Sequence, residues 1–279
     1  MALNPTMRGR RMPIVFTDLD GSLMDHADYS IDGARHALEA LRSKAVPLVV
    51  CTSKTRFELE TVLVSISPES PFIVENGGGI FFPPACSEWI IPDARPVGRL
   101  RCVSLGAPYA FIRSFMDRVG KRFSARGFAD MGVDEVSLLT GLDPEEARLA
   151  RIREFSEPFV IERETDLSGL EAEAAASGLV ITRGGRFYHL VGKDTDKGVA
   201  VRRVIKTVSH NLGRDIVSIA IGDSPNDFPM LEAVDIPVLI PHEDGSIEGV
   251  DLPGLVRATR PGSKGWNDAV MEILHTIEL

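Results

Sequence analysis

The stretch Ile14–Leu23, IVFTDLDGSL, sets three continuous apolar residues ahead of two carboxylates. Ile14, Val15 and Phe16 do not alternate with polar residues, which is the pattern of a strand buried on both faces, as in a parallel sheet covered by helices. Asp18 and Asp20, two residues apart, project to one side at the carboxyl end of that strand. Like charges held so close repel unless a cation or hydrogen bonds compensate them. The stretch therefore predicts a strand whose end carries a charged site, and in an open parallel sheet that end is where ligands sit.

The flanking sequence extends this reading. SIDGARHALEALRSKA places Ile31, Ala34, Ala37, Leu38 and Leu41 at helical spacing, and VPLVVCTS reads as a second doubly buried strand, which completes a β-α-β unit. RFELETVLVSI continues as a helix, PFIVENGGGIFF as a strand breaking at a glycine turn, and EWIIP as a short strand. The alternation predicts a mostly parallel sheet. Between about residues 85 and 191 the character changes: short helices, the strands RCVSLG and PFVIE, and a hairpin in LVITRGGRFYHLVG turning at Gly184-Gly185. From Lys197 the parallel pattern resumes, with helices in KGVAVRRVIKTVSHNL and PNDFPMLEAV and strands in DIVSIAIGD and IPVLIP. The expected architecture is α/β: a Rossmann-like parallel core from residues 1–84 and 192–279, interrupted by an α+β cap at 85–191. At 279 residues the chain has room for both.

Composition narrows the classes of function. A hydrophobic fraction of 44% with 25% charged residues is that of a globular protein, and nothing repeats or looks disordered. The net charge of −9 argues against nucleic acid as a partner, and any anionic substrate must meet a locally basic pocket. Cys51, Cys86 and Cys102 are too few and too scattered for a disulfide framework or a thiolate zinc site, which points to a reducing compartment and a cytoplasmic protein. The basic start is followed by an apolar run too short for a signal peptide, and no stretch is long enough to span a bilayer.

The chemistry-bearing residues lie at strand ends. The first strand ends in Asp18 and Asp20, the second in Thr52 and Ser53, the DIVSIAIGD strand in Asp223, and the helix leading into that strand begins near Lys197. Carboxylates so grouped can hold a hard cation through oxygen, while the hydroxyl and the ammonium bind anionic oxygens. An EF-hand is excluded, because the sixth and twelfth positions counted from Asp18 are Leu23 and Tyr29. Gly77–Gly79 do not form a dinucleotide fingerprint with a following helix.

The ordered set Asp-x-Asp-Gly-Ser, Thr, Lys and Gly-Asp-Ser-Pro-Asn-Asp resembles the haloacid dehalogenase-like phosphatases, with serine standing where threonine is more usual in the first motif. The resemblance implies a phosphoric monoester hydrolase in which Asp18 attacks phosphorus, Asp20 acts as general acid and then base, and Thr52 and Lys197 bind phosphoryl oxygens. It further implies Mg2+ held by Asp18, the carbonyl of Asp20 and Asp223, with Asp227 behind it or reaching it through water. Only about thirty residues separate Asp20 from Thr52, so the cap falls between the second and third motifs. Within that subgroup TSKTRFE, PFIVENGGGIF, GGRFYHL and DKGVAV look like mannosyl-3-phosphoglycerate phosphatases. The implied substrate is a small phosphorylated glycoside bearing a carboxylate, taken by a monomer or homodimer. The glucosyl analogue, another sugar phosphate or a mutase reaction stands as the alternative. Ser53, Lys54, Arg56, Asn76, Gly77 and Gly78, with Arg183, Arg186 and His189 on the hairpin, are the candidate substrate contacts. Arg183 and Arg186 read equally as surface charges, His189 as a buried histidine, and Asp227 as a helix cap.

Overall fold

The computed structural model describes residues 11–163, 167–184 and 187–277. Its centre is a five-stranded parallel sheet in the order β13 (Val256–Arg257), β12 (Ile236–Leu239), β11 (Ile216–Gly222), β1 (Met12–Thr17), β2 (Leu48–Val50). β1 pairs with β11 from Met12↔Ile216 to Thr17↔Ile221 and with β2 at Thr17↔Val50, so it lies second from one edge with neighbours on both sides. Alternate residues of β1 serve opposite faces. Val15 joins the core under α1 (Arg35–Ser43), α2 (Arg56–Ile66) and α9 (Gly262–Thr276), whereas Ile14 and Phe16 join the core under α7 (Lys197–Leu212). That two-sided burial is why the strand is apolar without interruption.

A bridge from Cys51 to Ile73 carries the chain from β2 into a second sheet. This sheet is antiparallel, in the order β3 (Phe72–Val74), β4 (Gly79–Phe82), β6 (Leu100–Ser104), β5 (Arg95–Val97). The parallel expectation therefore holds for the centre and not for this flank. EWIIP forms no strand. Two of its apolar residues go into packing, since Ile91 is buried and the Trp89 ring meets Phe82 edge-on at 6.5 Å, while Ile90 is exposed. Arg95–Ser104 falls in the stretch expected to open the cap, yet by pairing it belongs with β4.

The remaining insertion builds a third, antiparallel sheet in the order β7 (Ala125–Gly127), β8 (Ser156–Ile161), β10 (Phe187–Gly192), β9 (Leu179–Gly184). α3 (Tyr109–Val119) and α6 (Leu167–Ala176) supply Ile112, Phe115, Leu170 and Ala174 to a core with Phe159 and Leu190. α4 (Val133–Thr140) and α5 (Pro144–Ala150) close a smaller one around Phe128, Val136 and Ala147. The β9–β10 hairpin forms as the sequence suggests, but Gly184, expected in the turn, is paired with Phe187, and Gly185 and Arg186 lie outside the described residues. PNDFPMLEAV is only a short helical turn, with α8 confined to Phe228–Leu231. No described helix is long and apolar enough to cross a membrane.

Candidate active site

The carboxyl end of β1 delivers Asp18 into a site that is nearly closed to solvent, with 6% of the residue exposed. Its Oδ1 accepts a hydrogen bond from Lys197 Nζ at 2.7 Å, and the same ammonium donates to Asp227 Oδ1 at 2.6 Å. Lys197 is wholly buried at the first turn of α7, which is capped by the Asp196 side chain accepting from Val199 N. A buried cation survives only with close anionic partners. Burial works against its charge, but Asp18 and Asp227 outweigh that and hold its pKa above the usual lysine value. Asp223, at the end of β11, is also buried; burial first, then the charges of Asp227 and Asp18, push its carboxyl well up.

Ligand oxygens of Asp18, Asp223 and Asp227 all lie within 4.8 Å of one another. An all-oxygen set of carboxylates at this spacing fits a hard divalent cation, which would relieve their mutual repulsion. Asp227 is already engaged on both oxygens. Oδ1 holds Lys197, and Oδ2 accepts from the main-chain N–H groups of Asp223 and Ser224 at 3.1 Å. It thus braces both the ammonium and the loop that carries Asp223. Gly21 (φ +81°) completes the close approach of the first and last motifs, since a Cβ there would sit 2.6 Å from Asp223 Oδ2.

Asp20 turns toward the cleft and pairs with Lys54 Nζ at 3.0 Å, while its Oδ1 is buried without a partner. The Lys54 ammonium also lies 5.0 Å from the centre of the Tyr29 ring. Thr52 is buried at the end of β2, its Oγ1 accepting from Lys54 N. Ser53 lines the cleft.

Asp18, Asp20, Ser53, Lys54 and Asp223 line one side of a cleft of about 810 Å³ between the central sheet and the inserted layer, whereas Thr52, Lys197 and Asp227 are buried and not part of its lining. Arg183 and His189 line its other side. His189 is 5% exposed, its Nδ1 has no partner, and burial, helped by Arg153 and Lys197, pushes its pKa down to about 3.

Several expected contacts are placed elsewhere. Arg56 does not line the cleft; its guanidinium pairs with Glu154 at 3.1 Å and stacks on Phe57 at 4.0 Å. Asn76, Gly77 and Gly78 do not line it either. They belong to a tight turn in which Asn76 and Gly77 take positive φ, where Asn76 Oδ1 accepts from Asn226 Nδ2 and a Cβ on Gly77 would fall 2.1 Å from the Asp196 carbonyl. Arg186 lies outside the described residues.

A sequence profile described as haloacid dehalogenase-like hydrolase matches residues 15–92 and 146–242. A glucosyl-3-phosphoglycerate/mannosyl-3-phosphoglycerate phosphatase of Persephonella marina is 46% identical over 265 residues, covering 95% of this chain and 98% of that protein. The protein of the same name from Methanococcoides burtonii is 41% identical, over 94% and 97% of the two chains. The chain belongs to the haloacid dehalogenase-like hydrolases. Among solved structures, a superfamily phosphatase of Bacteroides thetaiotaomicron shares the fold, with a TM-score of 0.65, 16% identity, and coverage of 98% of this chain and 97% of that one. Together the family and the named relatives make this hydrolase a phosphoric monoester hydrolase of the mannosyl-3-phosphoglycerate phosphatase branch.

Two residues of this hydrolase escaped the sequence reading. Glu75 is wholly buried at positive φ, and its carboxylate accepts from Glu154 N, Phe155 N and Ser156 Oγ at 2.8–3.0 Å. It pins the start of β8 to the core. The available signal was an acid directly after three buried apolar residues, the same anomaly that marks Asp18. Arg153 lines the cleft at 9% exposure. It lay hidden in PEEARLARIREF, which reads as one helix, whereas α5 stops at Ala150 and the next residues run irregularly to β8.

Proposed function

We propose that this hydrolase is a Mg2+-dependent phosphatase that converts mannosyl-3-phosphoglycerate, and its glucosyl counterpart, to the glycosylglycerate and inorganic phosphate through an aspartyl phosphate on Asp18. The observation that carries the reading is the Lys197 ammonium shared between Asp18 and Asp227, with the Asp223 carboxylate beside them. Lys197 keeps Asp18 oriented and offers positive charge to phosphoryl oxygens, where phosphoryl transfer concentrates its electrostatic demand. In the first step an Asp18 oxygen bonds to phosphorus as the bond from phosphorus to the glycerate oxygen breaks, and Asp20 gives its proton to that leaving oxygen. In the second, Asp20 takes a proton from water, whose oxygen bonds to phosphorus as the bond to Asp18 breaks.

Thr52 and Ser53 at the end of β2 are the phosphoryl-oxygen contacts in this reading, with Lys54 holding Asp20 in place. Asp18, Asp223 and the carbonyl of Asp20 would hold Mg2+, which supplies the remaining charge against the phosphoryl group. Arg183 and His189 face the glycosyl portion from the inserted layer.

Both sugars are included because the relatives at 46% and 41% identity carry both substrates in one name. The test is phosphate release from the two glycosyl-3-phosphoglycerates with Mg2+ and with chelator. Comparable kcat/KM on both, lost on chelation, is the expected result. Transfer of the phosphate to another substrate hydroxyl with no free phosphate would replace this reading with a mutase. Turnover of only one sugar would narrow it to that ester.

A further inference from the structure

Arg153 is an arginine held close to the phosphoryl site, near enough to the buried Glu75 and Glu157 carboxylates to favour their charged forms but not in ion-pair contact with either. Its Nε donates to the Ala150 carbonyl and its Nη1 to the Ser53 carbonyl, each at 2.8 Å. A guanidinium carries five N–H donors, so three remain after these two bonds. Among the described residues no carboxylate forms an ion pair with it within 4.0 Å. The other cleft cations differ. Lys54 is spent on Asp20, and Arg183 is exposed, with its guanidinium 5.5 Å from the Tyr188 ring. A side chain this buried is expected to face an anion, and Arg153 faces the cleft.

Its placement is fixed in advance. Glu75 takes the main-chain N–H groups of Glu154 and Phe155 and the Ser156 hydroxyl, and Arg56 grips the Glu154 side chain. The segment following α5 is therefore clamped on both sides of its chain, and the guanidinium is aimed at little entropic cost when a ligand arrives. The anchor on Ser53 sets its address, because Ser53 directly follows Thr52, at the end of the strand beside β1. In a 2-glycosyl-3-phosphoglycerate the carboxylate and the phosphate-bearing carbon are attached to the same carbon. The glycosidic oxygen is on that carbon too, so a carboxylate receptor must lie where the phosphoryl and sugar contacts meet. Among the cleft cations Arg153 meets that requirement through its Ser53 anchor while making no direct ion pair.

We propose that Arg153 is the carboxylate-recognition residue of this active site, binding the glycerate carboxylate through the guanidinium edge left open by its two carbonyl anchors. The proposal rests on the function proposed above and names the group that selects its substrate class.

The experiment compares kcat/KM for mannosyl-3-phosphoglycerate with that for 2-O-mannosylglycerol 3-phosphate, in which a hydroxymethyl group replaces the carboxylate, in the wild type and in Arg153→Met. The wild type is expected to prefer the carboxylated ester by about a hundredfold or more, and Arg153→Met to remove most of that preference, chiefly through KM. A wild-type ratio near one, or a ratio that Arg153→Met leaves unchanged because both esters suffer alike, overturns the proposal. If Arg153→Met fails to fold by circular dichroism, Arg153→Lys keeps the charge and the stem but not the fork. It is expected to cut the ratio about tenfold, and an unchanged ratio is equally fatal. Should the wild type turn over neither glycosyl-3-phosphoglycerate, the proposed function falls by itself. The same ratio measured on 3-phosphoglycerate and glycerol 3-phosphate then decides the role of Arg153.

Discussion

Asp18 and His189 face the same cleft but answer to different physics. Asp18 is the carboxylate whose environment supplies an oriented ammonium and a second acidic residue two positions on. Asp18→Asn keeps the side-chain volume and removes the nucleophilic oxygen, so phosphate release should fall by on the order of a thousandfold or more with the circular dichroism spectrum unchanged. Retained turnover would reassign the nucleophile. His189 is held neutral, its pKa pushed to about 3 by burial and by the nearby cations Arg153 and Lys197. In the unfolded chain it titrates near the ordinary histidine value of about 6.5. As pH falls below that value the unfolded chain takes up a proton that the folded protein refuses, so stability is full above about 6.5 and drains away toward 3. At about 1.4 kcal/mol per pH unit, the wild type should lose about 2 kcal/mol more than His189→Gln between pH 7 and pH 5, read by urea denaturation at each pH. Equal losses in the two proteins would mean that His189 is protonated in the fold.

The turn between β3 and β4 shows how one element carries the geometry of another. Glu75, Asn76 and Gly77 all take positive φ, and the turn sits against the N-terminus of α7, where Lys197 begins. A methyl group on Gly77 would lie 2.1 Å from the Asp196 carbonyl and would also force an L side chain to φ +95°. Gly77→Ala should therefore cost about 2 kcal/mol or more in thermal or urea unfolding and lower kcat by displacing Lys197. Unchanged kcat in a destabilised variant would uncouple the turn from the site. This turn also marks where the sequence could be read and where it could not. The doubly buried strands, the helix Arg56–Ile66 to the residue, and the strand-end placement of Asp18, Thr52 and Asp223 were legible, because continuous apolar runs and abrupt charges leave a local trace. The glycines were read as amide donors for substrate, whereas their use is close packing, which depends on what the chain brings against them from 120 residues away. Arg56 and Arg153 exchanged expectations for the same reason. Sequence marks only Arg56 as a cation near the site and hides Arg153 in an apparent helix, and only Glu154 and the carbonyls of Ala150 and Ser53 decide which one faces the cleft. EWIIP has the composition of a strand but pairs with no sheet, while Val256–Arg257, unread in the sequence, adds the last strand of the central sheet and the helix Gly262–Thr276, also unread, packs on it.

At the scale of the whole molecule, an acidic protein must bind an anionic ester. The net charge of −9 and the buried trio Asp18, Asp223 and Asp227 both oppose the approach of a phosphate, and Lys197 neutralises only part of the trio. The fold thus stores electrostatic repulsion that a divalent cation would release, and the same binding that prepares the site should stabilise the chain. A cation held by the folded state alone contributes about 2.7 kcal/mol at a hundredfold excess over its dissociation constant. For a chain of this size that corresponds to a rise of several degrees in Tm when Mg2+ replaces chelator. Asp223→Asn separates the two effects. It removes one of three mutually repelling carboxylates, so its Tm in chelator should equal or exceed that of the wild type, while the rise on adding Mg2+ should vanish together with phosphate release. A wild-type Tm indifferent to Mg2+, or a variant that responds as the wild type does, would show that the acidic trio is balanced by Lys197 and its hydrogen bonds alone.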